Sequence, residues 1–169
     1  MNTIFCTEKL RKFFKPIMSD EMLLSVGDQW NANLTFIDKR KCVAFIHKET
    51  LYVVVIFDIL TRDLKNIKQL FTEAYIRQLY TDGILERENE LLVRNQIGEM
   101  YFKPTDNDRK TIGSLTDTIK RISLIKEYHT FNMEAVKNYV ARYVNDTPMG
   151  AIKYAFPKDK MALKIKNLL

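Results

Sequence analysis

Between Trp30 and Phe57 the sequence alternates short apolar stretches with tight polar breaks, a layout that few folds other than a strand meander accept. In the first stretch Trp30, Ala32, Leu34 and Phe36 fall on one face and Asn31, Asn33, Thr35 and Ile37 on the other, the period of a half-buried strand. Asp38-Lys39-Arg40 then supplies a polar turn, Lys41 to Ile46 a second strand, Lys48-Glu49-Thr50 another turn, and Leu51 to Phe57 a third strand. That third strand is apolar on both faces, so it is expected at the centre of an antiparallel meander, covered on both sides.

Beyond it the period lengthens to that of a helix. Asp63 is placed to cap an amphipathic segment marked by Leu64, Ile67, Leu70, Phe71, Ala74, Tyr75 and Leu79, which Gly83 ends. A more polar helix is expected from Leu85 to Gln96, and a further strand from Glu99 to Lys103, stopped by Pro104. Ser114 with Asp117 three residues later resembles a capping box, and Leu115, Ile119 and Ile122 keep helical spacing behind it. Asn132 can cap another helix, through Val136, Val140 and Tyr143, that ends at an Asn145 to Pro148 break. Lys158 to Leu169 closes the chain as a basic helix, in which Leu163, Ile165 and Leu168 suit packing on the chain itself or on a partner. Upstream, Thr3 to Thr7 reads as a strand and Glu8 to Phe14 as a short helix ending before Pro16. No repeat, linker or compositional break divides residues 1–169, so the expectation is a single α+β domain: an antiparallel sheet of about four or five strands, helices mainly on one face, and a helical C-terminal part.

Composition narrows the function classes. The chain has 169 residues with 27 Lys+Arg against 21 Asp+Glu, a net charge of +6 that favours an anionic partner. The longest apolar run, Leu51 to Phe57, is far short of a membrane span, and the N-terminus lacks a long apolar region and a cleavage site, so a soluble, cytoplasmic protein without membrane contact is expected. Cys6 and Cys42 are too few for a disulfide framework and read as buried, reduced thiols. His47 and His129 share no ligand spacing, so neither a metal nor a cofactor is expected. His47 reads as a surface or hydrogen-bonded residue, and the cluster Glu86, Glu88, Glu90 as a solvated face. Nucleophile-elbow and nucleotide-cradling glycine motifs are absent from the sequence.

What remains is polar and basic: Asn33 on the first strand, Arg40 and Lys41 at the following hairpin, and Asn107, Arg109 and Lys110 leading to Ser114. A helix N-terminus exposes unpaired N–H groups, and Gly113 allows close approach, so this last group has the means to hold a phosphate. The alternative is that Ser114 and Asp117 satisfy the helix end themselves while Arg109 pairs with a neighbouring Asp.

Trp30-Asn31-Ala32-Asn33-Leu34, Asp38-Lys39-Arg40-Lys41-Cys42 and Asn107-Asp108-Arg109 with Ile112-Gly113-Ser114-Leu115-Thr116-Asp117 together resemble the W-H-A-N-L, D-R-R-K-C and N-N-R-S-V-L-G-S-M-N-D segments of an uncharacterised family of small bacterial proteins. Cys6 to Leu10 is similar to that family's C-T-K-K-L, and Asn145 to Met149 to its N-x-x-P-M. The resemblance implies a shared fold, no established activity, and a setting beside plasmid, phage or transposon genes. The sequence departs from the pattern at Asn31, where the family often has His, and at Lys39, Asp108 and Lys110. Among the matching positions, Trp30 suits a core anchor, and Asn33 and Asp38 suit turn or backbone-bonding roles.

Two functions follow as expectations. In the first, the protein is a non-enzymatic binding protein of mobile-element biology that engages nucleic acid or a protein partner through Arg40, Lys41, Arg109 and Lys110. In the second, it is a small metal-independent ribonuclease or phosphotransfer enzyme, toxin-like, in which Arg40, Lys41 and Arg109 stabilise phosphoryl charge and Asp38 or Asp117 serves as base.

Overall fold

A computed structural model describes residues 1–19, 27–128 and 132–168. Its centre is a five-stranded sheet of β1 (Asn2–Cys6), β2 (Asp28–Ile37), β3 (Arg40–His47), β4 (Val53–Ile56) and β5 (Met100–Pro104) in the order β4-β3-β2-β1-β5. Six α-helices accompany it among the described residues: α1 (Glu8–Phe14), α2 (Ile67–Thr81), α3 (Glu90–Ile97), α4 (Arg109–Tyr128), α5 (Met133–Tyr143) and α6 (Pro157–Lys166). The fold is α+β, as the residue pattern implied.

The sheet is mixed, which corrects the antiparallel expectation: β2, β3 and β4 form the meander, but β1 runs parallel to both β2 and β5. Parallel neighbours need a crossover of a dozen or more residues. The long stretch between β1 and β2, containing α1, is that crossover, and side-chain periodicity carries no sign of it. A second correction concerns β4, which lies at the edge of the sheet rather than at its centre. Its burial on both faces comes from helices and not from flanking strands.

Alternation sorts the strands into two cores. Ile4, Trp30, Ala32, Val43, Phe45 and Val54 pack with Leu10 of α1, Phe71 and Tyr75 of α2, Val93 of α3 and Met161 and Ile165 of α6. Cys42, Ala44, Ile46, Val53 and Val55 turn the other way, onto Leu115 and Ile122 of α4 and Val136 and Val140 of α5. Four of the six helices thus serve the first face and two the second. Ile165 is sealed against its own chain while Leu163 stays outside at 60% exposure, which assigns α6 to this fold and leaves one apolar side chain in solvent.

Trp30 anchors the first core. Its ring meets Phe71 and Tyr75 edge-on, with centroids 5.2 and 5.6 Å away, and its indole N–H donates to Asn2 Oδ1 at 3.2 Å. Phe36, expected beside it on the buried face, is instead exposed at the end of β2, with the Lys9 ammonium 4.7 Å over its ring. The hairpin between β2 and β3 turns on Asp38 and Lys39, both with positive φ (48° and 62°), the two-residue geometry whose twist matches that of the strands it joins. Asn132 caps α5 by accepting the Glu134 N–H at 2.9 Å, and Gly83 closes α2 at φ 68°, both as expected.

Trp30→Ala is expected to lower unfolding free energy by about 3 to 5 kcal/mol, the range for deleting a large buried aromatic, whereas Tyr154→Ala at a surface position is expected to change it by less than about 0.5 kcal/mol. Urea unfolding followed by far-UV circular dichroism checks both.

Candidate functional site: a lysine groove beside a buried histidine

The structure divides the residues expected to form one anion patch. Arg40 lies at the β2–β3 hairpin, paired with Asp58 at 3.2 Å, and Lys41 beside it sets its ammonium 4.7 Å over the Phe13 ring. Lys110 lies toward the opposite end of the sheet, sharing a groove with Glu49 and Thr50 from the β3–β4 turn. Lys48, in that turn, bonds to Gln29 near the start of β2, while Arg40 pairs with Ile37 at its end; eight residues of strand separate these points, about 26 Å. Arg40 and Lys41 therefore cannot contact the same short anion as Lys110.

The helix start is also displaced. Ser114 was expected to begin it, but α4 starts at Arg109, so Ser114 lies more than a turn inside, donating its hydroxyl to the Lys110 carbonyl at 2.9 Å. Asp108 is the cap: one carboxylate oxygen accepts the Thr111 N–H at 3.2 Å and the other its hydroxyl at 2.8 Å. Asn107 takes the left-handed turn before it (φ 58°) and donates its N–H to Thr105 Oγ1. Asp117 lies exposed on the flank of α4, and Asn33 is structural, accepting the Thr7 hydroxyl at 2.8 Å and so tying β2 to the start of α1. An acidic cap occupies the helix end proposed for a phosphate. Asp106 reinforces it, accepting from Asn31 Nδ2 at 3.0 Å and from the Lys48 ammonium. Burial alone would raise the carboxyls of Asp106 and Asp108, but these bonds outweigh it and hold both below their usual range. Arg109 is exposed in the first turn and makes no ion pair among the described residues.

The cations that do converge come from the C-terminal part. Lys110, Lys153, Lys160 and Lys164 line a groove of about 600 Å³, with Asn167 as a polar partner and Glu49 as its one acidic residue among those described. Lys153 and Tyr154 hold successive left-handed conformations (φ 57° and 60°) that end a short 3-10 turn at residues 150–152, and Tyr154 is 77% exposed. Lys153, Lys160 and Lys164 are legible in the sequence as late basic residues. Their meeting with Lys110 is not, because it depends on how α6 docks.

Next to the groove, sharing Glu49 and Lys164 with it, lies a smaller hollow of about 370 Å³ that also takes in Asp28, Gln29, His47 and Lys48. His47 is 2% exposed, hydrogen-bonded through Nδ1 and set against a carboxylate through Nε2. The Thr50 N–H can only donate, and it reaches Nδ1 at 3.2 Å, so the ring proton belongs on Nε2, which faces Asp28 Oδ1 at 3.5 Å. Thr50 Oγ1 lies 3.0 Å from Nδ1 and accepts the Tyr52 N–H, so His47 and Thr50 together hold the β3–β4 turn. Lys164 completes the set, 3.0 Å from Asp28 and 3.2 Å from Glu49. Burial would raise the Asp28 carboxyl, but the bonds from His47 and Lys164 prevail and hold it down at about 2. Both thiols are buried, and burial pushes Cys6 and Cys42 up, away from the thiolate form. His129 lies outside the described residues. Among those described, no three His, Cys, Asp or Glu side chains converge as a metal site, and no helix is long and apolar enough to cross a membrane.

Comparison with protein families places this architecture. Residues 3–160 match the model of a domain of unknown function, DUF6933. The chain belongs to that family. No curated protein and no solved structure matches it. The family match spans the sheet from Thr3 of β1 to the end of β5 and includes Lys110, Lys153 and Lys160 of the groove, so the helix start at Arg109 lies within the DUF6933 domain while Lys164 lies beyond the matched residues.

Two outcomes follow. Asp108→Ala is expected to cost about 1 kcal/mol of stability as a lost cap while Ser114→Ala stays near neutral, reversing the order expected from a cap at Ser114; thermal unfolding separates them. For Asp28 the folded pKa is depressed, so its stabilisation is present above the unfolded carboxylate value near 3.9 and fades as pH falls toward about 2. Asp28→Asn is therefore expected to be less stable than the parent at pH 7 and indistinguishable from it at about pH 2, measured by urea midpoints across that window.

Proposed function

We propose that this DUF6933 protein is a non-enzymatic, cytoplasmic binding protein that engages single-stranded nucleic acid through the lysine groove, in the setting of a mobile genetic element. The observation that carries the reading is the gathering of Lys110, Lys153, Lys160 and Lys164 around one groove with, among the described residues, a single acidic side chain, Glu49, which Lys164 already holds. A row of ammonium groups suits a phosphate backbone, since each neutralised phosphate releases condensed counterions. Leu163, exposed in the groove wall, and Tyr154, exposed and next to Lys153 in the chain, offer apolar contact and base-stacking, a combination that favours unpaired bases over a closed duplex. The toxin-like phosphotransfer alternative draws less support, because Asp38, Arg40 and Lys41 lie at the β2–β3 hairpin, away from Arg109, and Asp117 follows Arg109 by eight residues, about 12 Å along the helix axis.

The test is fluorescence anisotropy with a labelled single-stranded RNA and a duplex DNA at about 50 and about 200 mM salt, followed by a denaturing gel. The expected result is intact nucleic acid, tighter binding of the single strand, and an affinity that falls steeply with salt. The triple variant Lys110→Ala, Lys153→Ala, Lys160→Ala is expected to weaken binding by at least about tenfold and to lower the salt slope by about 2 to 3, while Arg40→Ala leaves both unchanged. Salt-insensitive binding, or an unaffected triple variant, rejects the reading; cleavage of the probe favours the enzyme.

A further inference from the structure

Antiparallel strands alternate between residue pairs that exchange both backbone bonds and pairs that exchange none. The phase on β4 is set by the His47 N–H, which donates to the Tyr52 carbonyl at 2.8 Å, together with a register that places Phe45 opposite Val54 and Ala44 opposite Val55. Val53 and Val55 therefore turn their N–H and C=O groups away from β3, toward the open side of the sheet.

At Val53 the protein answers this itself. Asn145 accepts the Val53 N–H on Oδ1 at 2.7 Å and donates from Nδ2 to the Val53 carbonyl at 3.0 Å, so one carboxamide does the work of a single residue of neighbouring strand. Two residues on, Val55 presents the same donor and acceptor, and no described residue pairs with them. They face a cleft of about 460 Å³ whose walls are α2 on one side of the sheet and α5 on the other. The Asn145 end is closed by Gln78 of α2, which donates to the Ala141 carbonyl of α5 at 2.9 Å; the cleft continues to Phe57 at its other end.

From this edge we propose a strand-addition site: an extended segment of a partner polypeptide enters beside Phe57, exchanges backbone hydrogen bonds with Val55, and turns alternate side chains toward α2 and α5. The charges of the cleft select its chemistry. Glu73 is held by Arg94 at 2.8 Å and Lys137 by Asp58 at 3.4 Å, while Arg77 on the α2 wall and Glu134 on the α5 wall make no ion pair among the described residues. Successive residues of a strand face opposite sides, so the matching segment carries an acidic residue next to a basic one within a β-branched run. This site is separate from the lysine groove and does not depend on the nucleic-acid reading.

The experiment titrates the full-length ¹⁵N-labelled protein with the blocked peptide acetyl-Thr-Val-Glu-Lys-Val-Thr-amide. Amide shifts centred on Val55 and Phe57 are expected, with hydrogen exchange of the Val55 amide slowed at least about tenfold at saturation. A peptide N-methylated at its central residues, and the surface variant Asn138→Trp, which fills the cleft without touching the core, are both expected to abolish these changes. Arg77→Glu is expected to weaken binding about threefold, as for an exposed ion pair. Absence of Val55 shifts at millimolar peptide overturns the proposal, as does equal binding of the N-methylated peptide. Val55 protection that grows with protein concentration and without peptide overturns it in favour of a second copy of this chain.

Discussion

Burial on both faces of one sheet is the constraint on which the rest of the molecule depends. Successive residues of β3 and β4 point to opposite sides, and on both strands both sets are apolar, so neither face tolerates water. Two helical layers are then required. The first is assembled from α1, α2, α3 and α6 around Trp30 and Phe71, and the second from α4 and α5 over Ala44, Ile46 and Val53. The short β1 is fully buried because it sits between β2 and β5, where a parallel strand can enter only after a long crossover.

Most polar groups drawn into these layers are matched, Asn31 Oδ1 being buried without a partner among the described residues. Asn2 accepts from the Trp30 indole, Thr50 and Asp28 occupy the two nitrogens of His47, and Asn145 joins Val53 to Asp82, whose carboxylate also accepts from the Tyr52 hydroxyl. Burial leads in lifting the Asp82 carboxyl above its ordinary value, against the hydrogen bonds that it accepts. An unmatched buried polar group costs about 1 to 3 kcal/mol, so these pairings locate the strand ends and turns as firmly as the apolar contacts do. Surface left over from this matching is where binding is proposed: lysines gathered by α6 at one end, and the outward backbone of Val55 at the edge.

Local signals were read correctly wherever one residue's own chemistry decides the outcome. Asn132 accepts its helix N–H, Gly83 takes positive φ, and Trp30 fills the core, each through contacts that chain spacing already implies. Ser114 misled because a hydroxyl followed three residues later by a carboxylate also occurs inside a helix, where the hydroxyl bonds back to the carbonyl four residues earlier. The stronger signal was Asp106-Asn107-Asp108, an acidic turn with a residue that tolerates the left-handed region, three positions ahead of the Thr111 that Asp108 caps. Of the expected anion patch, Lys110 stayed with the groove, while Arg40 was claimed by Asp58 and Lys41 by Phe13.

The amino-acid sequence by itself determined the α+β class, the β2–β3–β4 meander, the helix-rich second half and a net charge of +6. These depend on periodicity, turn chemistry and composition, which act over a few residues. Only the tertiary structure decided that β1 runs parallel beside β2, that β4 stands at an edge guarded by Asn145, and that Lys110 meets Lys153, Lys160 and Lys164. Those arrangements join residues tens of positions apart, and which distant elements meet is settled by the joint burial of two apolar faces, a condition no local stretch of sequence encodes.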